Sequence, residues 1–241
     1  MNHSYFDFDL PSKGKLYQGI NLSEIKVRAF TGAEEALLSE MNERNSARKI
    51  SEALGRCLQG IDIKDLTLGD ELQLMVWHAI NSYTDGFSTK VICEECLQSI
   101  EVEYNLADMT TIYLPDSFRE PYPILLSDGR TVNCRLMRVR DELQLEKATF
   151  EGEESFLRTI AAYIVDPDKD IVEKADMVKK LHAKDSAKLR AFQESFRHGP
   201  DFTTFYTCPK CEGRGVFQAP FRLEHFFPHG NTLTKTFGVK I

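Results

Sequence analysis

The sequence lacks any apolar run close to the roughly 18 to 20 residues that cross a bilayer. Its opening, Met1-Asn2-His3-Ser4-Tyr5-Phe6-Asp7, has no basic stretch followed by an apolar one. Neither a spanning helix nor an export signal is expected, so the protein should remain in the cytosol where it is made. Positive charge is also in deficit. Thirty Lys and Arg face 37 Asp and Glu, for a formal charge of -7, and the whole molecule should repel nucleic acid and anionic membranes unless it carries a local basic patch. No Gly-rich phosphate loop, nucleophile elbow or carboxylate dyad is visible, nor any internal repeat or low-complexity tract. Cysteine is sparse, with six in 241 residues, and a chain this long without an export signal is not a small disulfide scaffold. The hydrophobic content of 42% suffices for one good core or two modest ones.

Four of the six cysteines form two tight pairs, Cys93-Glu94-Glu95-Cys96 and Cys208-Pro209-Lys210-Cys211. The C-x-x-C spacing lets both thiolates of a pair reach one tetrahedral ion while intervening amides donate to sulfur. Each pair follows a short apolar or aromatic segment (Val91-Ile92; Phe205-Tyr206) and precedes strand-like residues (Ile100 to Tyr104; Gly215 to Gln218). Each is therefore half of a zinc ribbon, with Gly213 and Gly215 supplying the sharp return of the second half. Residues 97–207, 111 of them, lie between the halves, so the ribbon must be split by an inserted subdomain. Closing so long a loop costs entropy only logarithmically, against a structural zinc that contributes on the order of 10 kcal/mol in small peptides. The ion would be the clasp of the insertion. A thioredoxin-like redox pair would need an exposed C-x-x-C opening a helix, which the pattern does not offer. A catalytic zinc would need an open coordination position, and four thiolates close the shell. Cys57 and Cys134 sit in apolar surroundings and are expected as inert core residues.

The rest of the chain reads as mostly helical. Phe6 to Gly14 should be an extended arm or loop, an arm being able to pack on a neighbour, and Ile25 to Phe30 alternates like a strand with one buried face. Thr31 and Glu34 make a capping box for a helix from about Gly32 to about Glu43. A second helix should carry Ile50, Ala53, Leu54, Cys57 and Leu58 on one face and end at Gly60. A third, capped by Thr67 and Asp70, places Leu68, Leu72, Met75, Val76 and Ala79 on an apolar stripe suited to helix packing. Asp128-Gly129, between Ile124-Leu125-Leu126 and the run from Thr131 to Val139, predicts a tight hairpin. From Asp141 the pattern turns helical up to Asp166-Pro167. Two more helices follow, around Asp170 to Leu181 and Asp185 to Arg197, closed by Gly199-Pro200. The expected class is α+β, mostly helical with a split zinc ribbon and a small β-hairpin. Its parts are an N-terminal arm and strand (1–30), a helical domain (31–86), the first ribbon half (87–114), an inserted hairpin plus helical subdomain (115–200), and the second ribbon half with an aromatic tail (201–241).

His225 and His229 are four apart, but Pro228 between them spoils a helical His-x-x-x-His face, and they read as loop or partner-contact residues. Aromatic side chains crowd both ends. Phe6, Phe8 and Tyr17 in the arm, and Phe226, Phe227 and Phe237 in the tail, are the candidates for partner contact, since aromatics are favoured at interface centres. Phe217 and Phe221 join that crowded last segment, part of which should fill the ribbon's own core.

Several stretches, in order along most of the chain, resemble the baseplate hub family of contractile-tailed phages, the T-even type hub subunit and its relatives. They are Leu10-Pro11-Ser12-Lys13-Gly14-Lys15-Leu16-Tyr17, Ile25 to Glu35, Leu66-Thr67-Leu68-Gly69-Asp70 with Ser82-Tyr83 and the first knuckle, Leu126-Ser127-Asp128-Gly129-Arg130, and Arg138-Val139-Arg140-Asp141-Glu142. The resemblance implies a non-enzymatic component or assembly factor of the virion baseplate, made in the infected cytoplasm. Its partners would be other hub, wedge or tail-tube proteins. Two other classes compete on the residues alone. A zinc-ribbon adaptor for nucleic acid or a transcription complex needs a basic face and a steep salt dependence. A zinc hydrolase needs a water-accessible metal with fewer than four sulfur ligands.

Overall fold

The computed structural model describes residues 4–42, 44–147, 153–222 and 226–227. The fold is α+β, with seven helices and small antiparallel sheets among the described residues.

The N-terminal arm folds back onto its own chain. Strand β1 (Phe6–Asp7) pairs antiparallel with β2 (Lys26–Val27), which pairs with β3 (Leu58–Gln59). The expected strand over Ile25 to Phe30 thus shrinks to two paired residues. Arg28, just beyond it, turns its guanidinium to the buried Glu34 carboxylate at 3.1 Å. Glu34 also completes the predicted capping box on Thr31. Helix α1 (Gly32–Leu38) stops five residues short of the expected end, with Ser39 as its C-cap. Helix α2 (Ser46–Cys57) ends before Leu58, which belongs to β3, and Gly60 turns the chain at φ 85° where a Cβ would lie 2.5 Å from the Glu24 carbonyl oxygen. Asn45 gives α2 no side-chain cap. The Glu146 carboxylate, about 100 residues away in sequence, accepts from the Ala47 and Arg48 amides instead. Helix α3 (Leu68–Ser82) starts at Thr67, whose hydroxyl accepts from the Asp70 amide as predicted. It is buried on more than one stripe: Leu74, Val76, His78 and Ala79 are all inside, and His78 stacks on Phe30 with ring centroids 4.0 Å apart.

After α3 come β4 (Gly86–Ile92), β5 (Ser99–Asn105) and β6 (Thr110–Ile112). The inserted segment then opens with a hairpin of β7 (Tyr122–Leu125) and β8 (Thr131–Cys134). Strand β8 ends at Cys134, not Val139, because Val139 starts helix α4 (Val139–Lys147). The turn is a five-residue loop, not a two-residue one: Leu126 donates to the Arg130 carbonyl at 2.8 Å, and only Gly129 of the Asp-Gly pair takes a positive φ. Helices α5 (Glu153–Ala162), α6 (Ile171–Lys179) and α7 (Ala183–Ser195) close a second core around Leu114, Phe118, Leu136, Ile160, Leu189 and Phe192. Cys57 and Cys134 are fully buried, and burial pushes both thiols up to about 12, as inert core residues require.

Gly199-Pro200 does more than end α7. It lies in β9 (Gly199–Asp201), which pairs antiparallel with β6 and closes the neck of the insertion. Gly199 at φ 113° passes so close to α3 that a Cβ would meet the Gly69 carbonyl oxygen at 2.7 Å. Finally β10 (Thr203–Thr207) and β11 (Arg214–Gln218) form the last hairpin.

Candidate metal centre

Two hairpins face each other, and each carries a C-x-x-C at its turn. Strands β4 and β5 pair from Gly86↔Asn105 to Ile92↔Ser99, ending at the first knuckle, and β10 and β11 pair from Thr203↔Gln218 to Thr207↔Arg214, ending at the second. Alternation along the strands turns Val91, Ile100 and Val102 of one hairpin toward Tyr206 and Phe217 of the other, where they pack in one cluster with Cys93, Cys96 and Cys208.

The two turns share one backbone design. The Cys93 amide donates to the Gln98 carbonyl at 3.0 Å and the Leu97 amide to the Cys93 carbonyl at 2.9 Å; the matching bonds in the second knuckle are Cys208 to Gly213 at 2.8 Å and Glu212 to Cys208 at 2.9 Å. Leu97 and Glu212, each directly after the second cysteine of its pair, both take the left-handed conformation, at φ 57° and 61°. That conformation curls each loop so that its two sulfurs point the same way. Gly213 lies where a Cβ would come within 2.4 Å of the Glu95 carboxyl carbon, and Gly215 where one would come within 2.4 Å of the Tyr206 hydroxyl. Gly213 is therefore needed for close approach of the two hairpins, and Gly215 makes room for the Tyr206 ring across its own hairpin.

The four Sγ atoms of Cys93, Cys96, Cys208 and Cys211 lie within 4.8 Å of one another. Across the two hairpins Cys93 and Cys211 are 3.7 Å apart, and Cys96 and Cys208 are 3.8 Å apart. A disulfide would hold sulfurs at about 2.05 Å. Sulfurs each about 2.3 Å from one ion at the corners of a tetrahedron stand about 3.8 Å apart, so the donor set fits a tetrathiolate metal. The Lys210 amide points at the Cys208 sulfur from 3.4 Å. Amides of Cys96 and Glu95 favour the Cys93 thiolate and, against burial, bring its pKa down to about 7. The Gly213 amide acts the same way on Cys211, but burial and the three neighbouring sulfurs outweigh it and push that thiol up to about 12. Four thiols this close cannot all ionise without a cation among them.

Tyr206 is a residue the sequence reading missed. Its ring is buried between the hairpins and its hydroxyl accepts from the Glu94 amide at 3.3 Å, tying one knuckle to the other. Its position two residues before Cys208 carries no signal that distinguishes it from Phe205, which points outward.

A family model described as T4 bacteriophage base plate protein matches residues 1–228. The chain belongs to that family. This baseplate family places the chain among the structural proteins of the phage tail, with other phage structural proteins as its partners. No curated protein and no solved structure matches it.

In this baseplate chain the aromatic candidates for partner contact separate by environment. Phe6 is exposed at the edge of the three-stranded sheet, 6.0 Å from the Trp77 ring. Phe8 and Phe226 are buried in the first core, and Phe227 packs against it, so the surface of Phe8 and Phe226 is taken up within the chain. The ring of Tyr17 packs on the same core, and its hydroxyl donates to the buried Asp70 carboxylate while accepting from the Thr67 amide at 2.9 Å. Phe237, His225 and His229 lie outside the described residues. The arm's Ser12 amide also donates to Asp70, at 2.8 Å, and Thr67 meets His198 Nε2 at 2.6 Å. This network joins the arm, α3 and the β9 neck. A buried aspartate at the third position of a helix is the one cue in the sequence, read there only as a cap.

Proposed function

We propose that this chain is a non-enzymatic component of the baseplate hub, and that one zinc ion held by Cys93, Cys96, Cys208 and Cys211 clasps the two ends of an inserted subdomain. The observation that carries the zinc reading is the pair of sulfur separations across the hairpins, 3.7 and 3.8 Å, matched to a tetrathiolate. Bound there, zinc would supply cross-linking alone, because four sulfur ligands leave no position for water or substrate. The proposed insertion at 115–200 draws support from the β6–β9 pairing, in which β6 precedes the insertion and β9 spans its end.

The hub assignment rests on the family match together with the ordered motifs from Leu10 to Glu142. A part of this kind works by contact with other hub, wedge or tail-tube proteins. It is assembled in the host cytoplasm and resides in the tail baseplate. The nucleic-acid adaptor reading finds no support: the first hairpin exposes Glu94, Glu95, Glu101 and Glu103, which repel phosphate.

Two experiments test the halves of this proposal separately. Elemental analysis of purified protein should give one zinc per chain, and Cys208→Ser should lose it and open the insertion to protease. Zinc retained in the variant, or iron in its place, overturns the ligand assignment as stated. For the hub role, deleting the gene in its phage should abolish functional tails, and infectious particles made without it would overturn that role.

A further inference from the structure

The ribbon is two hairpins packed inner face to inner face, so its two outer faces point in opposite directions. Each carries large apolar side chains in water. On one side Phe205 and Val216 sit opposite each other in the β10–β11 register, 76% and 50% exposed. On the other, Ile92 and Leu97 bracket the first knuckle, 66% and 74% exposed. Leu97 is the more telling. It holds the left-handed backbone that curls the knuckle, a position where its counterpart in the second knuckle is the polar Glu212.

The surroundings of the two patches differ in sign. Strand alternation puts Glu101 and Glu103 on the same outer face as Ile92, and Glu94 and Glu95 are exposed in the knuckle beside it, against Lys90 as the cation of that face. Phe205 and Val216 have Thr203, Thr207, Arg214 and Gln218 as face neighbours, with no carboxylate among them, while the adjoining knuckle exposes Glu212 and Lys210, whose ammonium reaches Gln98 of the first hairpin at 3.5 Å.

We propose that these two faces are complementary and join copies of this chain head to tail, with the Phe205–Val216 face of one copy seated on the Ile92–Leu97 face of the next. The partner is a second copy because this chain itself carries the complement that each patch needs: an apolar centre with a rim of the opposite charge. Aromatic and aliphatic anchors at the centre supply the affinity, and Arg214 facing Glu101 and Glu103 sets the orientation. Such a contact is heterologous. It leaves one free face of each kind on a dimer and therefore continues, closing into a ring or extending into a filament according to the rotation between copies. It requires the paired hairpins and not the hub assignment.

Sedimentation of the full, metal-loaded chain over a concentration series tests this, with Phe205→Asp and Leu97→Lys as variants. Wild type should form species larger than a dimer, increasingly at higher protein and less so at higher salt. Each variant alone has one face disabled and should stay monomeric. An equal mixture of the two should form a dimer and stop there, since Phe205→Asp retains the Ile92–Leu97 face and Leu97→Lys retains the Phe205–Val216 face. A wild type that is monomeric throughout overturns the proposal, and so does a mixture that fails to pair. Loss of association in only one of the two variants indicates a face-to-face dimer and overturns it equally. Metal content and far-UV circular dichroism must match wild type. A variant that fails this check is replaced by Val216→Glu or Ile92→Lys, which disable the same faces.

Discussion

The segment from Leu114 to Phe192 buries thirteen side chains in one cluster, whereas the cluster around the two knuckles buries four, Cys93, Ile100, Tyr206 and Cys208, two of them sulfur donors of the candidate metal site. Burial of apolar surface is worth roughly 25 cal/mol per Å², so the insertion can hold itself together by packing and the ribbon cannot. The ribbon's two hairpins are hydrogen-bonded within themselves, but between them stand a few aliphatic contacts, the edge contact of the Tyr104 and Phe217 rings, the Tyr206–Glu94 bond and the sulfurs. Stability in this chain is therefore divided between a body that packs and a ribbon that needs a cross-link. Separate closure of the insertion's neck by β6 and β9 makes the division sharper, because the body keeps its own seam when the ribbon opens.

Removing the metal should have the largest effect, since structural zinc contributes on the order of 10 kcal/mol to folding in zinc-finger peptides. With a strong chelator, hydrogen exchange should rise throughout β4, β5, β10 and β11 while amides of α3, α5 and α7 keep their protection. Loss of protection across the whole chain at once would break the comparison, because it would make the ribbon part of a single cooperative unit.

The converse experiment damages the body and spares the ribbon. Asp70 is fully buried and accepts from the Ser12 amide and the Tyr17 hydroxyl. Asp70→Ala strands both donors, at a cost of about 3 kcal/mol. Urea unfolding should show that loss with zinc content unchanged. Loss of zinc together with stability would mean that the arm network, through His198 and the β9 neck, also sets the ribbon.

What could be read from the sequence follows the range of the interactions. Thr31–Glu34 and Thr67–Asp70 are local devices in which a cap and its partner lie three residues apart, and both helix starts are found where they are expected. The four cysteines were legible because metal geometry imposes the same short spacing twice. Contacts set by distant residues were not. The Glu146 cap on α2, the β6–β9 neck and the folding of Phe8 and Phe226 into the first core depend on approaches that no local pattern encodes. Ends differ for the same reason: Leu58 reads as the last turn of a helix because a strand of two residues, paired with β2, has no periodicity of its own.

A smaller effect separates two buried ionisable groups of α3. Burial, with Glu142 nearby, pushes the Glu71 carboxyl up to about 8, while burial pulls the stacked His78 imidazole down to about 3. The signs oppose. For Glu71 the folded pKa lies above the ordinary 4.5, so its stability contribution is intact below 4.5 and is lost as pH rises through about 8. For His78 the folded pKa lies below the ordinary 6.5, so the loss begins as pH falls below 6.5 and continues toward 3. Above pH 6.5 the His78 imidazole is mainly neutral in both states, leaving Glu71 as the chief titrating member of the pair. Glu71→Gln should therefore raise the melting temperature more at pH 9 than at pH 6.5, with the ribbon's exchange pattern unaltered. A shift that stays constant over this range would show that Glu71 does not ionise on unfolding there, and a shift accompanied by changed exchange in β4 or β10 would tie the body to the ribbon after all.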